Sequence, residues 1–103
     1  MYGRLNSQLN PDYFTVVDVD NPTELFQRSS ECQVVVLDLN DPDYSIEILQ
    51  KLRKNYTGRI IAFAGHVQKK LLDQAKREGT DYVAVNSEIS TSLEKIIQSI
   101  ISE

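Results

Sequence analysis

With a single cysteine and a single histidine, this chain has no material for a disulfide framework or a Cys/His zinc cluster. The lone Cys32 cannot pair internally. It reads as a small apolar filler at a strand start in a reducing compartment, since a reactive thiol wants a basic neighbourhood. Glycine and proline are scarce, four and three residues in 103, so no flexible linker divides the chain, and residues 1–103 read as one domain with one core. Gly58, Gly65 and Gly79 stand apart as isolated punctuation, not as a phosphate-cradling loop, and no Gly-x-Ser-x-Gly pattern is present. There is no excess of basic charge. Net charge is -4, and the lysines and arginines are scattered among acids with no basic stripe on one predicted face, which argues against nucleic-acid binding. No apolar run approaches the ~20 residues of a membrane span, and the opening MYGRLNSQLN lacks the apolar segment of a signal peptide. A cytoplasmic protein is the expectation.

The chain does contain short apolar runs alternating with helical patterns. Tyr13 to Val19 is β-branched and aromatic, which suits a strand. Asn21-Pro22-Thr23-Glu24 reads as a capped helix start, with Leu25 and Phe26 on the buried face. Gln33 to Leu39 is the clearest strand, and its unbroken apolar run predicts cover on both faces, as in a parallel sheet. Asn40-Asp41-Pro42-Asp43 supplies turn chemistry, and Ile46, Ile48, Leu49 and Leu52 recur at helical spacing up to Asn55. Arg59 to Ala64 is a third strand. Gln68 to Glu78 is a helix closed by Gly79, and Asp81 to Val85 is a fourth strand. A capping box at Thr91-Ser92-Leu93-Glu94 predicts the start of the last helix, which buries Leu93, Ile96, Ile97 and Ile100. Four β-α units in series predict an α/β, three-layer flavodoxin-like sandwich with a mainly parallel four-stranded sheet and right-handed crossovers.

Three segments within this frame carry a resemblance. Val34 to Asp43 resembles the third strand and following loop of response-regulator receiver (CheY-like) domains. Ile60 to His66 resembles the fourth receiver strand, and Arg77-Glu78-Gly79-Thr80-Asp81-Tyr82-Val83 the approach to the fifth. The likeness runs from about residue 13 to residue 101 in order and spacing, and implies a two-component signalling role in which Asp38 is the candidate phosphoacceptor. Asp38 also draws attention on physical grounds. Ligands of open parallel sheets bind beyond the carboxyl ends of the strands, and a carboxylate there must be paired, hydrogen-bonded or hydrated. The alternative is that Asp38 simply holds its turn.

Aspartyl phosphorylation requires several oxygen ligands for Mg²⁺, with a hydroxyl and a positive charge for the transferred oxygens. The receiver resemblance implies an acidic pair ending the first strand, a Thr or Ser ending the fourth and a Lys ending the fifth. This chain carries Ala64 at the fourth-strand position and Val85-Asn86 in place of Lys-Pro. Lys69 and Lys70 sit at a helix start, where solvation is the ordinary fate. The chain also reads as one β-α unit short, in one of two registers. In one, Phe14 to Val19 is the second receiver strand, Met1 to Leu9 is a helix remnant, and the acidic pair is gone. In the other, Val16 to Pro22 imitates the first strand, and Asp18, Asp20 and Asp38 form an acidic pocket able to hold a divalent ion weakly. The first register removes a central strand, so either residues 13 to 19 pair directly with residues 33 to 39 or another chain fills the gap, which makes a homodimer through an exposed sheet edge an expectation.

The reading that follows is a non-catalytic pseudo-receiver, a protein-interaction module regulated by partner binding, with no cofactor. Tyr82, Val85, Glu88 and Glu94 are its expected partner surface. The alternative is an atypical phosphoacceptor using Asp38 and Mg²⁺. His66 has no Cys/His partners and reads as a loop or cap residue. A regulator of the anti-sigma-antagonist type is a poor match, because Asp43-Tyr44-Ser45-Ile46 only weakly imitates its phosphorylated segment.

Overall fold

The computed structural model describes residues 21–101. Helix α1, Pro22–Arg28, starts as its sequence dictates: the Asn21 side chain accepts the Glu24 N–H at 2.9 Å and Pro22 occupies the first turn. The Glu24 carboxylate lies 3.8 Å from Arg28 one turn on. A 3₁₀ turn, Ser29–Glu31, leads into strand β1, Val34–Asp38. Helix α2 (Ile46–Asn55), strand β2 (Arg59–Ala64), helix α3 (Lys69–Arg77), strand β3 (Tyr82–Val85) and helix α4 (Asn86–Ile101) follow.

All strands pair in parallel in the order β1-β2-β3, with Asp38 opposite Phe63 and Ala64 opposite Val85. The expectation of four strands is therefore corrected to three among the described residues. Residues 13 to 19, read as the additional strand, lie outside them. That reading rested on side-chain type alone, a context-dependent signal. Each observed strand is instead fixed by a crossover helix packed on it. Among the described residues β1 pairs only with β2.

β2 is the central strand and is buried on both faces. Ile60, Ala62 and Ala64 face a cluster with Leu49 and Leu52 of α2 and Ala75 of α3, which Leu25 of α1 joins. Ile61 and Phe63 face the opposite side and pack with Ile89, Leu93, Ile96, Ile97 and Ile100 of α4. Three layers result, with α1, α2 and α3 on one face and α4 on the other.

Helix α4 departs from its predicted start by five residues: it follows β3 without a loop, at Asn86. The cause is Glu88, whose carboxylate accepts the Val85 N–H at 3.3 Å and the Tyr82 hydroxyl at 2.6 Å, so the chain is capped where the strand ends. The predicted start is still visible as a kink, with Ser92 at φ -134°, ψ 16°. The Thr91 and Ser90 hydroxyls both donate to the Ser87 carbonyl, at 2.8 and 3.1 Å, and so close the first segment.

The amino-terminal edge of the sheet is held by Arg53. Its guanidinium donates to the carbonyls of Tyr56 (2.7 Å), Gly58 (2.9 Å) and Gly79 (3.0 Å) and lies 3.5 Å from the Asp81 carboxylate. Asp81 also accepts the Ile60 N–H at 2.8 Å and pairs with Arg59 at 3.3 Å. Gly79 adopts φ +84°, the left-handed conformation that ends a helix and favours glycine. None of the described helices is long and apolar enough to cross a membrane.

Candidate functional site

The parallel register brings three strand ends together at the carboxyl edge: Asp38 from β1, Ala64-Gly65 from β2 and Val85-Asn86 from β3. Asp38 ends a strand whose residues alternate between half-buried and buried, and it lies on the half-buried side with Val34 and Val36. The loop after it is two consecutive turns, in which the Asp41 N–H donates to the Asp38 carbonyl and the Tyr44 N–H to the Asp41 carbonyl. Asp41 stiffens the second turn by accepting the Asp43 N–H at 2.9 Å.

Asn40 occupies the middle of the three ends. Its backbone N–H and its Nδ2 both donate to Asp38 Oδ1, each at 2.9 Å. Nδ2 also donates to Asn86 Oδ1 at 2.8 Å, and Oδ1 accepts the Gly65 N–H at 3.0 Å. The Gly65 backbone can only donate, which fixes Oδ1 of Asn40 toward it and Nδ2 toward Asp38 and Asn86. One neutral side chain thus ties together the ends of all three strands. Asp38 Oδ1 accepts two hydrogen bonds, so the carboxylate is stabilised by amide dipoles of its own loop.

Ala64 is fully buried in the cluster with α2 and α3, and Val85 is its neighbour across the sheet. Neither the hydroxyl nor the ammonium that phosphoryl transfer would use is supplied at these positions. His66 and Lys69 and Lys70 are exposed at the same end of the sheet. Asp18 and Asp20 lie outside the described residues. Among the described residues no group of three or more His, Cys, Asp or Glu side chains is arranged to hold a metal ion. Of the expected partner surface, Tyr82, Val85 and Glu88 come together through the two Glu88 bonds, while Glu94 sits half-buried beyond the kink. The Glu88 bond, followed by burial, raises the pKa of the Tyr82 hydroxyl above its ordinary value. Sequence reasoning missed Asn40 as the hub and took it only for turn chemistry.

No family model and no curated protein matches the chain. Solved structures do. A response regulator (signal receiver domain) from Bermanella marisrubri superposes with a TM-score of 0.78 at 23% identity, covering 95% of this chain and 83% of that one. A response regulator from Thermotoga maritima gives a TM-score of 0.79 at 18% identity, over 97% of this chain and 87% of that one. The fold is that of a response-regulator receiver. It is carried here by three strands among the described residues, fewer than the five of a full receiver sheet. In the receiver frame Asp38 stands at the carboxyl end of a strand, where this fold places its ligands.

Proposed function

We propose that this chain is a non-catalytic pseudo-receiver, a signalling and interaction module whose state is set by protein partners instead of by a phosphoryl group on Asp38. One observation carries the reading: the Asn40 amide bridges Asp38, Gly65 and Asn86. A phosphoryl group at Asp38 would need donors aimed at its developing charge. The Gly65 N–H, the strand-end donor beside Ala64, is already turned onto Asn40. The methyl of Ala64 and the isopropyl group of Val85 stand at the positions where the receiver resemblance implies a hydroxyl and an ammonium. The network is neutral apart from Asp38 itself, so it offers an added dianion no compensating charge. The surface available to a partner on this reading is β3 with the start of α4, around Tyr82, Val85 and Glu88. Glu94 extends it along the helix.

The test is incubation with acetyl phosphate and Mg²⁺ followed by intact mass. The expected result is an unchanged mass. A gain of one phosphoryl group, with release of acetate, that disappears in Asp38→Asn would overturn the reading and establish Asp38 as an acceptor.

A further inference from the structure

The dipeptide Asn86-Ser87 opens α4 where the three strand ends meet. An asparagine side chain and the backbone nitrogen that follows it can close a five-membered imide, and a small residue such as serine leaves that nitrogen open to approach. The reaction asks three things of a structure: a free nucleophilic nitrogen, a donor on the amide oxygen to hold the developing charge, and an amide nitrogen free to leave.

Asn86 meets all three. The Ser87 N–H lies in the first turn of α4, where the helix provides no acceptor, and among the described residues no other group takes it. Turning the Asn86 backbone to bring that nitrogen onto Cγ therefore breaks no bond that the N–H makes. Asn86 Oδ1 accepts Asn40 Nδ2 at 2.8 Å, so the oxygen that turns anionic already faces a donor. Asn86 is exposed, and its Nδ2 has no acceptor among the described residues. The other described asparagines each fail a condition. Asn40 Nδ2 is held by Asp38 and Asn86, and the following Asp41 N–H is spent on the Asp38 carbonyl at 3.2 Å. Asn55 Nδ2 donates to the Lys51 carbonyl at 2.9 Å and is followed by the buried Tyr56. Asn21 precedes Pro22, which has no N–H.

We propose that Asn86 is a site of spontaneous deamidation promoted by the Asn40 amide. Solvent base removes the Ser87 N–H proton, the nitrogen bonds to Cγ of Asn86, and the charge gathers on Oδ1 under the Asn40 donor. The Cγ–Nδ2 bond then breaks as water protonates Nδ2, and ammonia leaves a succinimide. One water opens that ring to aspartate or isoaspartate, so the net change consumes a water, releases an ammonia and needs no cofactor. The aspartate product sets a second carboxylate against the Asn40 nitrogen that already holds Asp38 at 2.9 Å. A neutral contact between the β1 loop and α4 becomes, irreversibly, an anionic one. Asn86 lies between Val85 and Glu88, so the new charge falls on the surface assigned above to partners. That consequence rests on the partner reading, whereas the chemistry does not.

The full chain is incubated at mildly alkaline pH, folded in buffer and unfolded in urea, and each asparagine is followed by peptide mapping with isoaspartate detection. Asn86 should convert about fivefold faster in the folded chain than in the unfolded one, a modest factor for a donor at an exposed rim. Asn40 and Asn55 should convert more slowly when folded. Ser87→Val crowds the attacking nitrogen without touching the amide bridge and should suppress the folded rate. Asn40→Ala removes the donor. At a temperature where circular dichroism shows it folded, its Asn86 should slow to the unfolded rate, whereas a bridge that merely restrains Asn86 predicts a faster reaction once lost. A folded rate at Asn86 no higher than the unfolded one overturns the proposal. So does a rate that Ser87→Val or Asn40→Ala fails to lower. Acetyl phosphate treatment reads a separate event: a phosphoryl group on Asp38 refutes regulation without phosphate and leaves the deamidation result standing.

Discussion

Replacing Asn40 by alanine tests the feature on which the reading of the site depends. The substitution leaves the backbone N–H bond to Asp38 in place and removes three side-chain bonds: to Asp38 Oδ1 at 2.9 Å, to Asn86 at 2.8 Å and from Gly65 at 3.0 Å. A neutral hydrogen bond contributes a net ~0.5–1.5 kcal/mol and one to a charged group ~1.5–3 kcal/mol. The site lies at the solvent-facing rim, so water will re-satisfy the freed groups, and the low end of each range applies. The expected loss is about 2–3 kcal/mol. In a domain of this size that lowers the thermal midpoint by roughly 10–20 °C. Urea denaturation at pH 7 should show the midpoint falling with an unchanged slope.

Two companions make the test specific. Asn86→Ala removes one of the three bonds, and its cycle with Asn40→Ala should show a coupling of at least about 0.5 kcal/mol. Asn40→Asp keeps the acceptor for Gly65 but loses both donors and places a second carboxylate against Asp38. Its deficit should be largest at neutral pH, where both acids are ionised, and should shrink as acid protonates one of them. An Asn40→Ala chain within about 0.5 kcal/mol of the original would show that the strand ends hold without the amide.

The other predictions concern the opposite edge and the buried phenol. Arg53→Lys should destabilise by about 1–3 kcal/mol in urea, because a point ammonium cannot reach the Tyr56, Gly58 and Gly79 carbonyls that the planar fork meets together. Gly79→Ala should cost about 1–2 kcal/mol, as the residue sits at φ +84° and a Cβ would come within 3.0 Å of the Arg53 side chain. Burial raises the Tyr56 hydroxyl, which donates to the Cys32 carbonyl at 2.9 Å, from 10.0 to about 12. The folded chain therefore holds that proton more tightly than the unfolded one. The contribution to stability is complete below pH 10 and is lost as pH rises toward 12. Absorbance titration near 295 nm should show late-ionising tyrosine that is reduced in Tyr56→Phe, leaving the contribution of Tyr82.

What could be read from the sequence was local. Asn21 and Pro22 announce a helix with chemistry confined to one turn, the apolar run through Val34–Leu37 announces a covered strand, and Gly79 ends a helix where its positive φ is needed. What could not be read was long-range. Asn40 looks like one more turn former beside Asp41 and Pro42, because its decisive partners Gly65 and Asn86 lie 25 and 46 residues away. The start of α4 was misplaced for a related reason. Thr91 and Ser92 carry the stronger local capping signal, but Glu88 bonds back to β3 and begins the helix earlier. The cations of α2 and α3 are interleaved with acids along the chain, and only the packing of the two helices on a common cluster puts them on one face. The strand read at residues 13 to 19, outside the described residues, rested on β-propensity alone, the weakest of these signals.

A switch requires that some event favour one arrangement of the molecule over another, by an energy no greater than its differential interaction with the two. At a carboxyl edge built around charge, a new dianion supplies that difference directly. Here the hub is an amide, whose two donors and one acceptor are matched by partners at the carboxyl ends of all three strands. Phosphate would gain no cation at Ala64 or Val85, and the hydrogen bonds of the Asn40 amide are already made to other partners. The carboxyl edge therefore acts on this reading as a clasp that holds β1, β2 and β3 in register. Beside it, Glu88 braces Tyr82 and Val85 to α4. Differential interaction must then enter from outside.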